Sequence, residues 1–191
     1  MISNVMFSAR VVLFLGLILS SVFLSLEGIQ NSCVSDWIKM NHHDICFQGS
    51  GDRFGSFHNY VRSGLVAAIK LEHVSGHIAC DNTHKRFISY WGCANHKGLA
   101  PNPFNAVVTD QHNQVIFPKT NQIGYAPSIW YRVPFADTAS SKEIVFTDFA
   151  QPFYFPKYKQ MRIWYGEDLK GITESDNHGR VCVNVYAKFM L

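Results

Sequence analysis

The chain is 191 residues long with a formal net charge of +3, and only 16% of it is charged while 15 Phe, 8 Tyr and 4 Trp supply core-forming rings. That balance excludes an intrinsically disordered chain, which lacks the apolar content to bury a core. The 17 basic residues form no Lys/Arg cluster of the length that tracks a phosphate backbone, so there is no basis for a nucleic-acid partner.

The chain opens with Met1 to Arg10 and then runs without interruption through apolar and small residues from Val11 to Leu26. A basic flank and a run shorter than the roughly 20 apolar residues of a bilayer span identify residues 1–28 as a secretory signal peptide with cleavage at Gly28. A retained, tilted signal anchor is the alternative. On the order of 160 residues remain, the size of one domain. All five cysteines, Cys33, Cys46, Cys80, Cys93 and Cys182, lie beyond the apolar run. Secretion makes disulfides their default state, and no C-x2-C spacing suggests zinc. Cys80 with Cys93 closes a short loop worth about 3 kcal/mol, and Cys46 with Cys182 ties the start of the domain to its last strand for about 5 kcal/mol. Cys33 is then the odd thiol.

Residues 29–63 carry Gly49-Ser-Gly51, Gly55-Ser56 and Asn59, and are expected to be irregular backbone packed on the domain. From residue 64 to 191 short β-branched and aromatic runs alternate with turns: Leu65 to Leu71, Ile78 to Asp81, Phe87 to Cys93, Phe104 to Thr109, Gln114 to Phe117, Ser128 to Val133, Glu143 to Phe149, Met161 to Gly166 and Arg180 to Phe189. Nine such runs predict an all-β fold, a single jelly-roll-like antiparallel β-sandwich. The polar loop Asp110-Gln-His-Asn113 makes its flanking strands a hairpin. Every proline falls between or at the ends of the runs, as the missing N–H requires. No window shows sustained helical periodicity or an internal repeat.

Three features carry candidate chemistry. Glu167, Asp168, Glu174, Asp176 and Asn177 put four carboxylates and an amide within eleven residues, enough hard oxygen for one calcium ion, which is the cofactor the chain would take. Val185 stands where an EF-hand needs its bidentate glutamate, so that motif is excluded. As ordinary turn residues the same acids would face solvent or pair with Arg162, Lys170 and Arg180. The histidines His42, His43, His73, His77, His84 and His96 are candidate zinc or copper ligands, yet His73 and His77 on one straight strand would stand roughly 13 Å apart. The aromatic run Phe149 to Tyr165 offers Arg162, Trp164 and Tyr165 as a ligand-stacking group, against the plainer reading that alternate residues fill the core.

Catalytic motifs are missing: there is no G-x-S-x-G, no Gly-rich phosphate loop and no H-E-x-x-H. A secreted hydrolase would have to draw its carboxylates from Asp148, Glu167, Asp168 or Glu174 and collect them in a cleft. No N-x-S/T sequon is present either.

Four stretches, Gly124-Tyr-Ala-Pro-Ser-Ile-Trp-Tyr-Arg-Val-Pro134, Glu143-Ile-Val-Phe-Thr-Asp-Phe149, Arg162-Ile-Trp-Tyr-Gly-Glu-Asp-Leu169 and Glu174-Ser-Asp-Asn-His-Gly179, make the chain resemble a group of small secreted β-sandwich proteins of marine invertebrates. The resemblance implies an extracellular β-sandwich and transfers no activity, catalytic residue or ligand. The combined reading is a secreted, extracellular, non-enzymatic binding or matrix module for a glycan or a protein, assisted by calcium. A membrane-active, toxin-like β-sandwich using the aromatic and basic run is the alternative, and a hydrolase using loop carboxylates the second.

Overall fold

A computed structural model describes residues 37–190. The expected signal peptide and Cys33 lie outside the described residues.

Two strands form the spine of a seven-stranded sheet, β4 (Gly64–Ala79) and β13 (His178–Phe189). They pair antiparallel from His178↔Ala79 to Phe189↔Val66. Along its other edge β4 carries in succession β11 (Phe153–Phe155), β10 (Glu143–Thr147) and β5 (Ile88–Ser89). Along its own outer edge β13 carries β1 (Trp37–Lys39) and β2 (Ile45–Gln48). The second sheet has the order β3 (Gly55–His58), β12 (Gln160–Tyr165), β6 (Ala106–Asp110), β7 (Val115–Phe117), and a ribbon of β8 (Ile123–Tyr125) and β9 (Trp130–Tyr131) stands apart. All strand pairings among the described residues are antiparallel, so the fold is the expected all-β sandwich.

The sequence period of two explains the layering. In β13 the side chains of Val181, Val183, Val185 and Ala187 are completely buried while those between them are partly exposed. They join Met161, Ile163 and Tyr165 of β12, with Trp91, Trp130 and Phe117, in one hydrophobic core. Each fully buried Val or Ile contributes about 1.5–3 kcal/mol of transfer free energy. Both expected disulfides are present: Cys46–Cys182 joins directly opposed residues of β2 and β13, and Cys80–Cys93 closes the loop beyond β4. The Asp110–Asn113 hairpin joins β6 to β7, and no proline stands inside a strand.

Three expectations are corrected. Residues 29–63, expected to be irregular, supply β1, β2 and β3, each docked on a long strand of the other part of the chain. The runs Leu65 to Leu71 and Ile78 to Asp81 are one strand, because Gly76 at φ +82 and a register shift opposite Cys182 and Val183 carry β4 through the polar residues 72–77. The stretch Phe87 to Cys93 holds only the two-residue β5, preceded by a 3-10 turn.

Candidate functional site

At the end where β4 and β12 finish and β13 begins, the chain encloses a cavity of about 530 Å3. Its construction starts from Asn105, which is wholly buried just before β6. The Asn105 Nδ2 donates to the carbonyls of Ser128 and Ile129 at 2.7 and 3.2 Å, and its Oδ1 accepts the N–H of Glu167 at 3.0 Å. Gly166 follows β12 because the carbonyl of Ser128 and the amide of Asn105 leave no room for a Cβ. The backbone then makes one helical turn, α1 (Gly166–Lys170), closed by Gly171 at φ +60.

That turn sorts the acidic residues. Glu167, almost completely buried, points to the cavity; its Oε1 accepts from Thr173 Oγ1 at 2.7 Å and Trp130 Nε1 at 3.2 Å, and its Oε2 accepts from Asn177 Nδ2 at 3.0 Å. Burial, with the charge of Asp176 adding to it, raises the Glu167 carboxyl above its ordinary range against the pull of these three donors. Asp168, 1% exposed, turns the other way and accepts the N–H groups of Asp52 and Arg53 at 2.8 and 3.0 Å. Glu174 accepts the N–H of Gly51 at 3.2 Å. Burial first, and then a proton shared with Glu174, raise Asp168 to about 6. These two acids therefore hold the 51–53 loop.

The five residues expected around one calcium ion are thus divided. Among the described residues no three His, Cys, Asp or Glu side chains converge as a metal site. What remains in the cavity wall is Glu167 and Asp176, with Asn177 behind them donating to Glu167 Oε2. Asp176 Oδ1 and Asn177 Oδ1 are buried and have no hydrogen-bond partner. One carboxylate and one amide oxygen without partners, beside the second carboxylate of Glu167, are the donor type an oxygen-seeking cation takes, with its remaining ligands from outside the protein.

The expected ligand-stacking group is a correction. Tyr165 is completely buried, with its hydroxyl donating to the Gly92 carbonyl at 3.1 Å and its ring edge-on to Trp130. Trp164 is buried against Phe54, and Asn113 Oδ1 accepts from both Trp164 Nε1 and Arg162 Nη1, at 3.2 and 2.8 Å. Arg162 lies over the Phe54 ring. These three side chains serve packing. The rings that do line the cavity, Trp130 and the half-exposed Tyr125, come from the stretch 124–134, whose Gly/Pro/aromatic mixture was the signal sequence reasoning passed over as a site. Asn102 faces the same cavity, and its amide occupies the space a Cβ on Gly124 would need.

The histidines disperse. His73 and His77 come to 6.5 Å between ring centroids because of the bulge in β4, and His73 stacks on Tyr90 at 3.6 Å. His42 and His43 line a shallow groove with Tyr60, and His84 packs on Phe87. His96 also touches Phe87, lines the cavity beside Asp81 and leaves its Nδ1 buried without a partner.

No family model and no curated protein matches the chain. A solved structure does: "AJLec from the Sea Anemone Anthopleura japonica" is 37% identical, with a TM-score of 0.74, over 81% of this chain and 97% of that one.

Proposed function

The chain belongs to the same family as AJLec of the sea anemone Anthopleura japonica, and on that premise we propose that it is a secreted, non-enzymatic, lectin-like module whose cavity takes a glycan with the help of calcium. The relative's name designates a lectin. The observation that carries the reading is the buried, unpartnered Oδ1 of Asp176 in the wall of a cavity that Trp130 and Tyr125 also line, with the equally unpartnered Oδ1 of Asn177 on the next residue. Calcium takes six to eight oxygen ligands, so carboxylate and amide oxygens of Glu167, Asp176 and Asn177 would leave positions for sugar hydroxyls and water. A pyranose presents an apolar C–H face as well as hydroxyls, and the half-exposed Tyr125 ring offers the apolar half of that match. Two disulfides support an oxidising, extracellular setting.

A hydrolase is favoured by one observation, three carboxylates, Asp81, Glu167 and Asp176, with His96 in one cavity. The hydrogen bonds argue against it. Three protein donors engage both oxygens of Glu167, which ties this carboxyl to the cavity wall rather than to a leaving group or an attacking water.

The test is a glycan array read with calcium and with a chelator, followed by calorimetry on the best glycan and recovery of that glycan after incubation. Retention that needs calcium, is lost in Asp176→Asn and returns the glycan intact is the expected result. Failure to retain any glycan in either condition overturns the binding reading, and release of a shortened glycan overturns the non-enzymatic one.

A further inference from the structure

The end of the sandwich opposite the cavity carries a surface that glycan binding does not use. Six of the eleven large hydrophobic side chains exposed among the described residues, Tyr60, Val61, Leu65, Tyr154, Tyr158 and Met190, belong to three segments that meet there. Leu65 and Tyr154 are direct cross-strand partners of β4 and β11. The Met190 N–H donates to the Leu65 carbonyl at 2.8 Å, and the Tyr60 and Tyr158 rings stand edge to face at 6.2 Å.

Asn59 locks these segments together. Wholly buried, it donates through Nδ2 to the carbonyls of Arg62, Phe155 and Pro156, and its Oδ1 accepts the N–H groups of Val61 and Arg62. Tyr158 sits at φ +68, a region that L side chains rarely adopt. Its N–H donates to the Asn59 carbonyl at 2.6 Å and the neighbouring Lys157 N–H to Ser63 Oγ at 2.9 Å, so an unfavourable backbone is held in place with the ring 66% exposed. An ordinary surface turn would relax this conformation or use glycine there.

Charge follows the same boundary. Residues 58–66, 153–160 and 186–190 include Arg62, Lys157, Lys159 and Lys188 and no Asp or Glu. The grooves on either side hold Asp110, whose carboxylate accepts the N–H groups of His112 and Gln114, and Asp44.

We infer that this end of the protein docks on an anionic phospholipid bilayer. Tyrosine is suited to the headgroup level, with an apolar ring and a polar tip, and Val61, Leu65 and Met190 supply side chains that gain by leaving water. The cations are attracted to anionic headgroups, and no carboxylate in the three segments opposes them. A polyanionic glycan would satisfy the cations but offer nothing to the aliphatic side chains. The aromatic and basic run expected from sequence is thereby redrawn: Phe155, Trp164 and Tyr165 are buried, and Tyr60, Val61, Leu65 and Met190 from distant segments join Tyr154 and Tyr158.

The test is sedimentation of the purified secreted protein, without residues 1–28, with vesicles of phosphatidylcholine alone and of phosphatidylcholine and phosphatidylserine in equal parts. Binding to the anionic vesicles is expected to exceed that to the neutral ones by about tenfold or more and to weaken with salt. Two double variants, Tyr60→Ser/Tyr158→Asn and Lys157→Glu/Lys159→Glu, should each lower it by about tenfold with the thermal midpoint retained. Tyr158→Asn alone serves if a double variant loses its midpoint, since asparagine tolerates positive φ. Equal binding to both vesicles, unchanged binding in the variants, or retention on heparin without vesicle binding overturns the inference. Glycan retention by the same variants is read separately and bears only on the cavity.

Discussion

Replacing Glu174 by glutamine should stabilise the protein at neutral pH and change little near pH 4. Asp168 and Glu174 share a proton behind the cavity, and the Asp168 carboxyl is raised from its ordinary 3.8 to about 6. A folded-state value above the unfolded one means that the native state holds its proton longer. The stability from that proton is complete below 3.8 and is lost as the pH rises through about 6. The whole displacement corresponds to about 3 kcal/mol, and burial is its largest cause with Glu174 next. On the order of 1 kcal/mol of it is therefore assignable to the neighbouring Glu174. Glutamine keeps an oxygen for the Gly51 N–H, carries no charge and can donate to Asp168. Thermal melts of both proteins between about pH 4 and 8 should give a difference near zero at the acid end that grows to roughly 2–4 °C in favour of the variant. Asp81 and Asp148, whose carboxyls lie below their ordinary range and titrate in the opposite sense, cancel in that difference. A difference that stays flat with pH, or a variant that melts lower at the neutral end, would refute the shared-proton reasoning.

Removing the Cys46–Cys182 bridge by a double serine substitution should lower the unfolding free energy by up to about 5 kcal/mol, since the bridge spans 136 residues; urea midpoints give the value. Asn105→Ala strips one acceptor from Glu167 N–H and one donor from two carbonyls, for roughly 2–4 kcal/mol, and glycan affinity should fall with it, as calorimetry would show. Asn113→Gly keeps the φ of +65 but removes the acceptor for Arg162 and Trp164; about 1–2 kcal/mol should be lost in melts while glycan retention stays the same. Loss of retention there would return Arg162 and Trp164 to the ligand site.

The parts of the fold written in a single segment were readable. The alternation of β13, the placement of seven prolines outside strands and the Asp110–Asn113 hairpin follow from local period and turn chemistry. β1 to β3 were not, because strands of three or four residues among Gly and Ser exist only through the partners β13 and β12 provide. The site was half readable for a geometric reason. Glu167 and Asp168 are adjacent in sequence but project on different sides of a helical turn, so nearness along the chain collected five residues that space then divides. Trp130 and Tyr125 reach the same cavity from another segment, which spacing alone does not reveal.

The pairing of Trp37 with Lys188 places the start of β1 beside the finish of β13. The cavity lies where β13 begins, eleven residues away along the strand, or about 37 Å at the rise of an antiparallel strand. A protein immobilised through a tag beyond β13 would present its cavity outward from the sensor surface, and copies strung on a scaffold by that tag would all display the same mouth to the solution. The geometry suits multivalent capture reagents, where reach and orientation decide how many weak sites engage at once.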